Sequence, residues 1–360
     1  MSTVQAITGV TPQCDPLLAL IPLPHRADFH PYGFAASVAS NSSMVLKAAR
    51  ESWAGLAKRF DEPPLELRCV VSEGAAPDCP PPPVVRAQRN LTVWAADAEN
   101  YWCCDLATGF GSAWVTERLA ANTRYLRYHV LEAMAYSLLG SLHVVTLHAA
   151  CVALDGHGVL LAGDSGSGKS SLAYACARRG WTYVTDDCSS LVRRSRTRTV
   201  LGNPRLFRFL ATAGALFPEF QGMWESPHAR GKPTIEVRTD SLPAIRTAVE
   251  SRVDAVVFLN RRDGRDGQAE LFPVAADDAI QRLSYSPWPA DLPTMGERQA
   301  ALERLTGAGV YEMRYRDLDA AADKLEQMTN SMPTKPENRL LTRAARNGAA
   351  TVRERNGDRE

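Results

Sequence analysis

The apolar positions of this 360-residue chain change their period near His143. Before that point, Val45 to Phe60 predicts a helix, with Asn41-Ser42-Ser43 offering its N-cap. Leu91 to Ala95 and Tyr101 to Leu106 predict short strands, with turn residues at Thr108-Gly109 and Gly111-Ser112. Tyr125 to Leu139 carries Leu126, Val130, Leu131, Met134 and Leu138 at helical spacing. From His143 the pattern becomes that of strands. Val144 to Leu147 and Cys151 to Leu154 read as strand segments, Asp155-Gly156-His157-Gly158 as a tight turn, and Val159 to Ala162 as a buried strand. Ala255 to Leu259 is a further apolar run, followed by a charged turn through Arg261-Arg262-Asp263-Gly264, and Asp319 to Met328 predicts a late helix. Asp78 to Pro83, with its four consecutive prolines, reads as an extended surface loop rather than a proline-motif ligand.

Composition narrows the function classes. The formal net charge is +1, which argues against a protein whose main work is gripping nucleic acid. The eight cysteines, at positions 14, 69, 79, 103, 104, 151, 176 and 188, form no CxxC pair and no zinc-finger spacing. They fit small thiols in a reducing compartment. The first twenty residues lack a basic start followed by an apolar core, so no signal peptide is expected. The most apolar stretch, Leu138 to Ala162, is interrupted by His143, His148, Asp155 and His157, unlike a membrane span. The expectation is a cytoplasmic protein with no membrane and no nucleic-acid partner.

Chemistry enters directly after the predicted strand Val159 to Ala162. Gly163-Asp164-Ser165-Gly166-Ser167-Gly168-Lys169-Ser170 satisfies G-x-x-x-x-G-K-[ST] in full. In such a loop the glycines let successive amide N–H groups turn inward on phosphate oxygens. The lysine reaches the β- and γ-phosphates and the serine hydroxyl ligates Mg²⁺. Lys169 to Arg179 has helical composition and ends at Gly180, so its N-terminus would aim a partial positive charge at the same phosphates. Ser171 begins the turn beyond. Next, Gly180-Trp181-Thr182-Tyr183-Val184-Thr185 leads a short strand into Asp186-Asp187. Two carboxylates at a strand end beside a triphosphate can divide two tasks, one holding Mg²⁺ and one taking a proton from an attacking hydroxyl.

The run from Leu147-His148-Ala149-Ala150 through the loop to Arg179-Gly180-Trp181 and Thr185-Asp186-Asp187 resembles the catalytic domain of HPr kinase/phosphorylase and the wider group of HPr-kinase-related proteins. The resemblance is specific over about residues 143–192 and diffuse to about residue 325. It implies an α/β P-loop domain of the phosphoenolpyruvate-carboxykinase/HPr-kinase type with a mixed sheet, Mg·ATP as the phosphoryl source, and self-association. Gly163 to Ser171 then bind nucleotide and Lys169 assists catalysis. Asp186 and Asp187 form the acidic pair, with Asp186 as base and Asp187 joining Ser170 on the metal, and His148 tunes the pair. At Leu201-Gly202-Asn203-Pro204-Arg205-Leu206-Phe207-Arg208 the chain departs from the family, lacking the Glu-x-Arg-Gly-Leu-Gly signature that supports phosphorylase activity and a dedicated HPr site. Arg205, Arg208 and Lys232 are candidates to meet phosphate or acceptor, though each alone reads better as a solvated surface group.

The chain therefore divides into an α+β N-terminal region of unknown role (1–125), an HPr-kinase-like P-loop domain (126–330) and a tail (331–360) whose composition predicts disorder. The expected activity is ATP-dependent transfer to a hydroxyl, foremost serine, of a protein, peptide or small molecule. The competing expectation is a nucleotide-binding ATPase or regulatory module.

Overall fold

A computed structural model describes residues 21–74, 80–223, 234–261, 263, 267–284 and 294–333. Cys14, Cys79, Lys232, most of the predicted tail, and part of the Asp78–Pro83 loop and of the charged turn Arg261–Gly264 lie outside the described residues.

The first part of the chain builds a sheet from β1 (His25–Phe29), β2 (Ala36–Ser40), β3 (Leu65–Ser72), β4 (Val84–Gln88), β5 (Leu91–Ala95), β6 (Tyr101–Asp105) and β7 (Phe110–Thr116), ordered β1-β2-β3-β7-β6-β5-β4. β2, β3 and β7 run parallel, and α1 (Ser43–Trp53) makes the crossover between the first two that parallel neighbours require. The Ser42 hydroxyl caps α1 by accepting from the Met44 N–H. This helix stops at Trp53, short of the predicted Phe60. Ala54 leaves the helical region and Gly55 takes a φ of +79°. Gly111 and Ser112 sit inside β7 rather than in a turn. A Cβ on Gly111 would meet Leu67 Cδ2 at 3.1 Å and Met134 Sδ at 3.2 Å, so glycine there admits the helix that covers the sheet.

That helical segment comprises α2 (Glu117–Ala121), α3 (Thr123–Tyr125), a π-helical stretch (Leu126–Glu132) and α4 (Ala133–Leu142). The periodic residues Leu126, Val130, Leu131, Met134 and Leu138 are fully buried and share one core with Trp53, Leu67 and Trp102 of the first sheet layer.

The second sheet holds β8 (Val144–Leu147), β9 (Ala149–Leu154), β10 (His157–Ala162), β11 (Thr182–Thr185), β12 (Ser189–Val192) and β13 (Thr199–Leu201). α5 (Lys169–Arg178) lies between β10 and β11, while β14 (Leu206–Leu210) and β15 (Thr234–Arg238) form a separate ribbon. The sheet is completed by β16 (Arg246–Thr247), β17 (Glu250–Asn260), β18 (Ala269–Pro273) and β19 (Gly309–Tyr315), with α6 (Ala276–Leu283), α7 (Met295–Thr306) and α8 (Leu318–Asn330) against its faces. It is mixed, as expected: β10 is parallel to β17 and β17 to β19, while β9 is antiparallel to β10 and β11. The β9–β10 turn is tighter than predicted. Asp155 and Gly156, with φ of +48° and +81°, make a two-residue connection, and His157 already pairs with Leu154.

Along β10 the side chains alternate between two cores. Leu160 and Ala162 face the layer of α6 and α7, and Val159 and Leu161 face α5 and α8. β17 is buried between neighbours, which accounts for the unbroken apolar run Ala255–Leu259. The two sheets are tied together. Val144 and Leu201 pack into the first core, and Asn203 Nδ2 donates to the Ser52 carbonyl of α1 at 3.2 Å. No helix among the described residues is long and apolar enough to cross a membrane.

Trp102 is wholly buried where β6 meets α4. Trp102→Ala should cost about 3–5 kcal/mol of unfolding free energy, measured as a lower urea midpoint with little change in slope.

Candidate active site

The edge of the second sheet where β10 ends is built by three local events. β10 runs out into the loop Gly163–Gly168, with φ of +145°, +85° and +99° at Gly163, Gly166 and Gly168. A Cβ at Gly168 would come 2.5 Å from Tyr315 Oη of β19, so both backbone conformation and contact require glycine there. The Tyr315 hydroxyl donates to the Ser167 carbonyl at 2.8 Å and pins the loop from below. α5 then starts at Lys169, so its first N–H groups point into the same space.

Within the loop, Lys169 is buried and its Nζ donates to the carbonyls of Gly163 at 2.8 Å and Asp164 at 3.1 Å. Burial lowers its pKa against the opposing pull of Asp187, Asp164 and Asp186. The hydroxyl of Ser167 is buried with no hydrogen-bond partner, an orphan of the kind that a ligand satisfies. Asp164, Ser165 and Gly166 are exposed, and Ser171 is half-buried on the first turn of α5. Ser170 Oγ lies 3.5 Å from the Asp186 carbonyl, which ties the loop to the acidic pair.

The two acids are unequal. Asp186 is 5% exposed. Its Oδ2 accepts the main-chain N–H of Arg208 at 2.7 Å, and its Oδ1 lies 3.1 Å from the Tyr183 hydroxyl. That hydroxyl also lies 2.7 Å from the Leu206 carbonyl, yet it has a single proton to give. All three atoms are satisfied together when Asp186 carries a proton on Oδ1 and donates it to Tyr183. Burial, then the neighbouring charge of Asp187, push the Asp186 carboxyl up to about 7. Asp187 is more open, its side chain 41% exposed, and its Oδ1 lies 3.1 Å from His148 Nδ1. Burial would raise it, but the His148 hydrogen bond and charge, Arg208 and Lys169 together hold it below the usual carboxylate range.

His148 is exposed between β8 and β9, not a core histidine. The candidate residues of the loop, the acidic pair and His148 thus meet at one sheet edge. Arg205 and Arg208 do not behave as solvated surface groups. The Arg205 guanidinium is spent on the carbonyls of Glu51 at 3.1 Å and Ala54 at 2.6 Å, where α1 ends. Arg208 is held in ion pairs with Glu132 and Glu236. Sequence reasoning missed Tyr183, Tyr315, Glu132 and Glu236. Tyr183 stands three positions before Asp186 in a strand, and no motif marks it.

The described cysteines are free thiols. Cys69, Cys151 and Cys176 are buried, which pushes each thiol up to about 12. Among the described residues no cluster of three His, Cys, Asp or Glu forms a ready metal cage. A groove of about 580 Å³ opens elsewhere, on the first sheet beside Arg26, Asp28, Lys58, Glu62 and Arg68. The loop edge, with its buried lysine and its two unequal carboxylates, is the stronger site by its chemistry.

Fold and site define an α/β protein with a mixed sheet and a glycine-rich lysine loop facing a carboxylate pair. The HPr Serine kinase C-terminal domain family matches residues 142–213, a segment that contains the loop, His148, both aspartates and Arg208. A second HPr kinase/phosphorylase assigned to Oceanobacillus iheyensis is 41% identical over 69 residues, 19% of this chain and 22% of that protein. The chain thus spans about a fifth of the length of that curated relative. The HPr(Ser) kinase/phosphatase structure from Coxiella burnetii is similar at 14% identity and a TM-score of 0.28, covering 51% of this chain and 93% of that one. Over its loop-bearing segment, the chain is similar to HPr-kinase-related proteins.

A raised carboxyl pKa means that the folded state holds a proton the unfolded chain releases. The stability this confers is fully present below the unfolded value near 4 and is lost as pH rises towards about 7. Asn at position 186 mimics the protonated acid, accepting from Arg208 and donating to Tyr183. Asp186→Asn should therefore raise Tm, by an increment that grows from pH 5 to pH 7 and levels off above. An increment independent of pH would contradict the protonated assignment.

Proposed function

We propose that the protein is a Mg²⁺/ATP-dependent kinase of the HPr-kinase-like type that phosphorylates a hydroxyl, foremost serine, of a protein, peptide or small molecule. The observation that carries this reading is the meeting of Lys169, Ser170 and two carboxylates of opposite pKa shift at one loop. Paired acids whose environments push them apart divide base and charge-bearing roles.

In this reading the phosphates lie against the N–H groups of the loop and of the first turn of α5, and Ser167 Oγ finds its partner there. Lys169 exchanges the Gly163 and Asp164 carbonyls for phosphate oxygens. One hydroxyl and one ionised carboxylate suit Mg²⁺, which keeps several waters and takes much of its shell from phosphate. Ser170 and Asp187 would hold it, with His148 fixing the Asp187 carboxylate. Bound there, the metal would neutralise charge on the β- and γ-phosphates. Asp186, in its ionised form, accepts the proton of the acceptor hydroxyl as that oxygen bonds to the γ-phosphorus and ADP departs.

We propose neither phosphorylase activity nor HPr itself as acceptor. Where the family signature would stand, this chain uses Asn203 and Arg205 to grip α1. We take the catalytic unit to begin near β8, since α4 belongs to the first core.

Two outcomes are expected. Incubation with radiolabelled ATP, Mg²⁺ and an extract of the source cells should label an acceptor, and Asp186→Asn should reduce that labelling at least about a hundredfold. Free phosphate alone, unaffected by Asp186→Asn, would favour the ATPase reading. Separately, Lys169→Ala should abolish most of the thermal stabilisation given by ATP, and unchanged stabilisation would remove the phosphate site.

A further inference from the structure

The hydrogen bond from Arg208 N–H to Asp186 Oδ2 is a main-chain contact, so its alignment depends on whatever fixes β14 at that residue. The Arg208 side chain supplies the anchor. Its guanidinium bonds Glu132 Oε2 at 3.0 Å through Nη2 and Glu236 Oε1 at 3.1 Å through Nε, and lies 4.5 Å over the Tyr128 ring. Arg127 closes the circuit, reaching Glu132 Oε1 at 3.4 Å and Glu236 Oε2 at 2.6 Å. Two arginines and two glutamates thus form a ring without net charge, joined by Arg124 on Glu236 at 3.5 Å and by the Ser52 hydroxyl on Glu132 at 2.6 Å.

Every link but Arg208 of β14 comes from outside the family-matched segment, Glu236 of β15 from beyond its end and the others from before its start. Ser52 is on α1; Arg127 and Glu132 are on the π-helical stretch. In an α-helix, residues five apart stand about 140° apart around the axis and cannot meet. The i→i+5 winding of the π stretch brings Arg127 and Glu132 onto one side. Both side chains are almost fully buried, at 3% and 4% exposure, where an unmatched charge is costly. The next residue back, Phe207, stacks on Tyr183 at 3.9 Å between centroids. A shift of β14 would therefore disturb both partners of Asp186 together.

We propose that Glu132 and Ser52, both N-terminal to the family-matched segment, are positioning residues, which through the Arg208 ring hold β14 so that Asp186 stays aligned for proton transfer. The inference rests on the kinase reading for its consequence, but not for its geometry. The N-terminal region is then part of the catalytic device.

Two measurements separate the geometry from the consequence. Amide hydrogen exchange, followed by mass spectrometry on the ligand-free full chain, reads the anchor directly. In Glu132→Gln, exchange of the peptide covering residues 206–210 should quicken about tenfold or more, while residues 65–72 and 169–178 keep their protection. Ser52→Ala, a gentler change, should do the same to a smaller degree and guards against a misfolded first variant. Unchanged protection at 206–210 in both variants would overturn the proposal, as would equal loss across all three segments. In the labelling assay, kcat should fall about tenfold in Glu132→Gln with KM for ATP within about twofold. Local loosening with kcat unchanged would also overturn the positioning claim. If the wild-type protein transfers no phosphoryl group, the kinase reading fails and the exchange result still decides whether the ring anchors β14.

Discussion

A buried carboxylate next to an ionised one constrains this structure more tightly than any other contact. Asp186 lies in the interior with Asp187 adjacent in sequence, and two like charges so close cannot both be stable without partners. The fold answers by giving the two residues different surroundings. Asp187 opens towards His148 and the charge of Lys169, whereas Asp186 turns inward to Tyr183 and the Arg208 N–H. The strand end at β11, the loop after β10 and the start of β14 must all converge for that separation to exist. Each does so through a short, identifiable contact.

The N-terminal region enters the same account. Its sheet buries α4 and the π stretch, and these deliver Glu132 and Arg127 to the back of β14. Asn203 and Arg205 fasten the following strand to α1. Within the family-matched segment, Asn203 and Arg205 are thus engaged in contacts to α1.

Much of the site could be read from the sequence because its determinants are local. Gly163 to Ser170 is contiguous, β10 and α5 flank it, and Asp186-Asp187 follows at a strand end, so spacing alone sufficed to bring them together. The alternating residues of β5 and the period of Leu126 to Leu138 likewise report faces that the structure buries. What stayed hidden depends on contacts between distant segments. Glu132 and Arg127 look like the polar side of an amphipathic helix until the π winding turns them inward. Arg208 looks like a surface base until Glu132 and Glu236, 76 and 28 positions away, are seen to enclose it. The helix end at Trp53 was missed for a milder reason, since the apolar residues Leu56 and Phe60 continue the pattern but pack against the first core from a non-helical chain.

The central claim is that the loop and the acidic pair form one phosphoryl-transfer centre. A crystal structure with Mg²⁺ and a non-hydrolysable ATP analogue tests it most directly. The account expects the phosphates inside Gly163–Ser170, Lys169 Nζ moved from the Gly163 carbonyl to phosphate, and the metal between Ser170 and Asp187. A nucleotide bound elsewhere, or a metal with no contact to either residue, would contradict it.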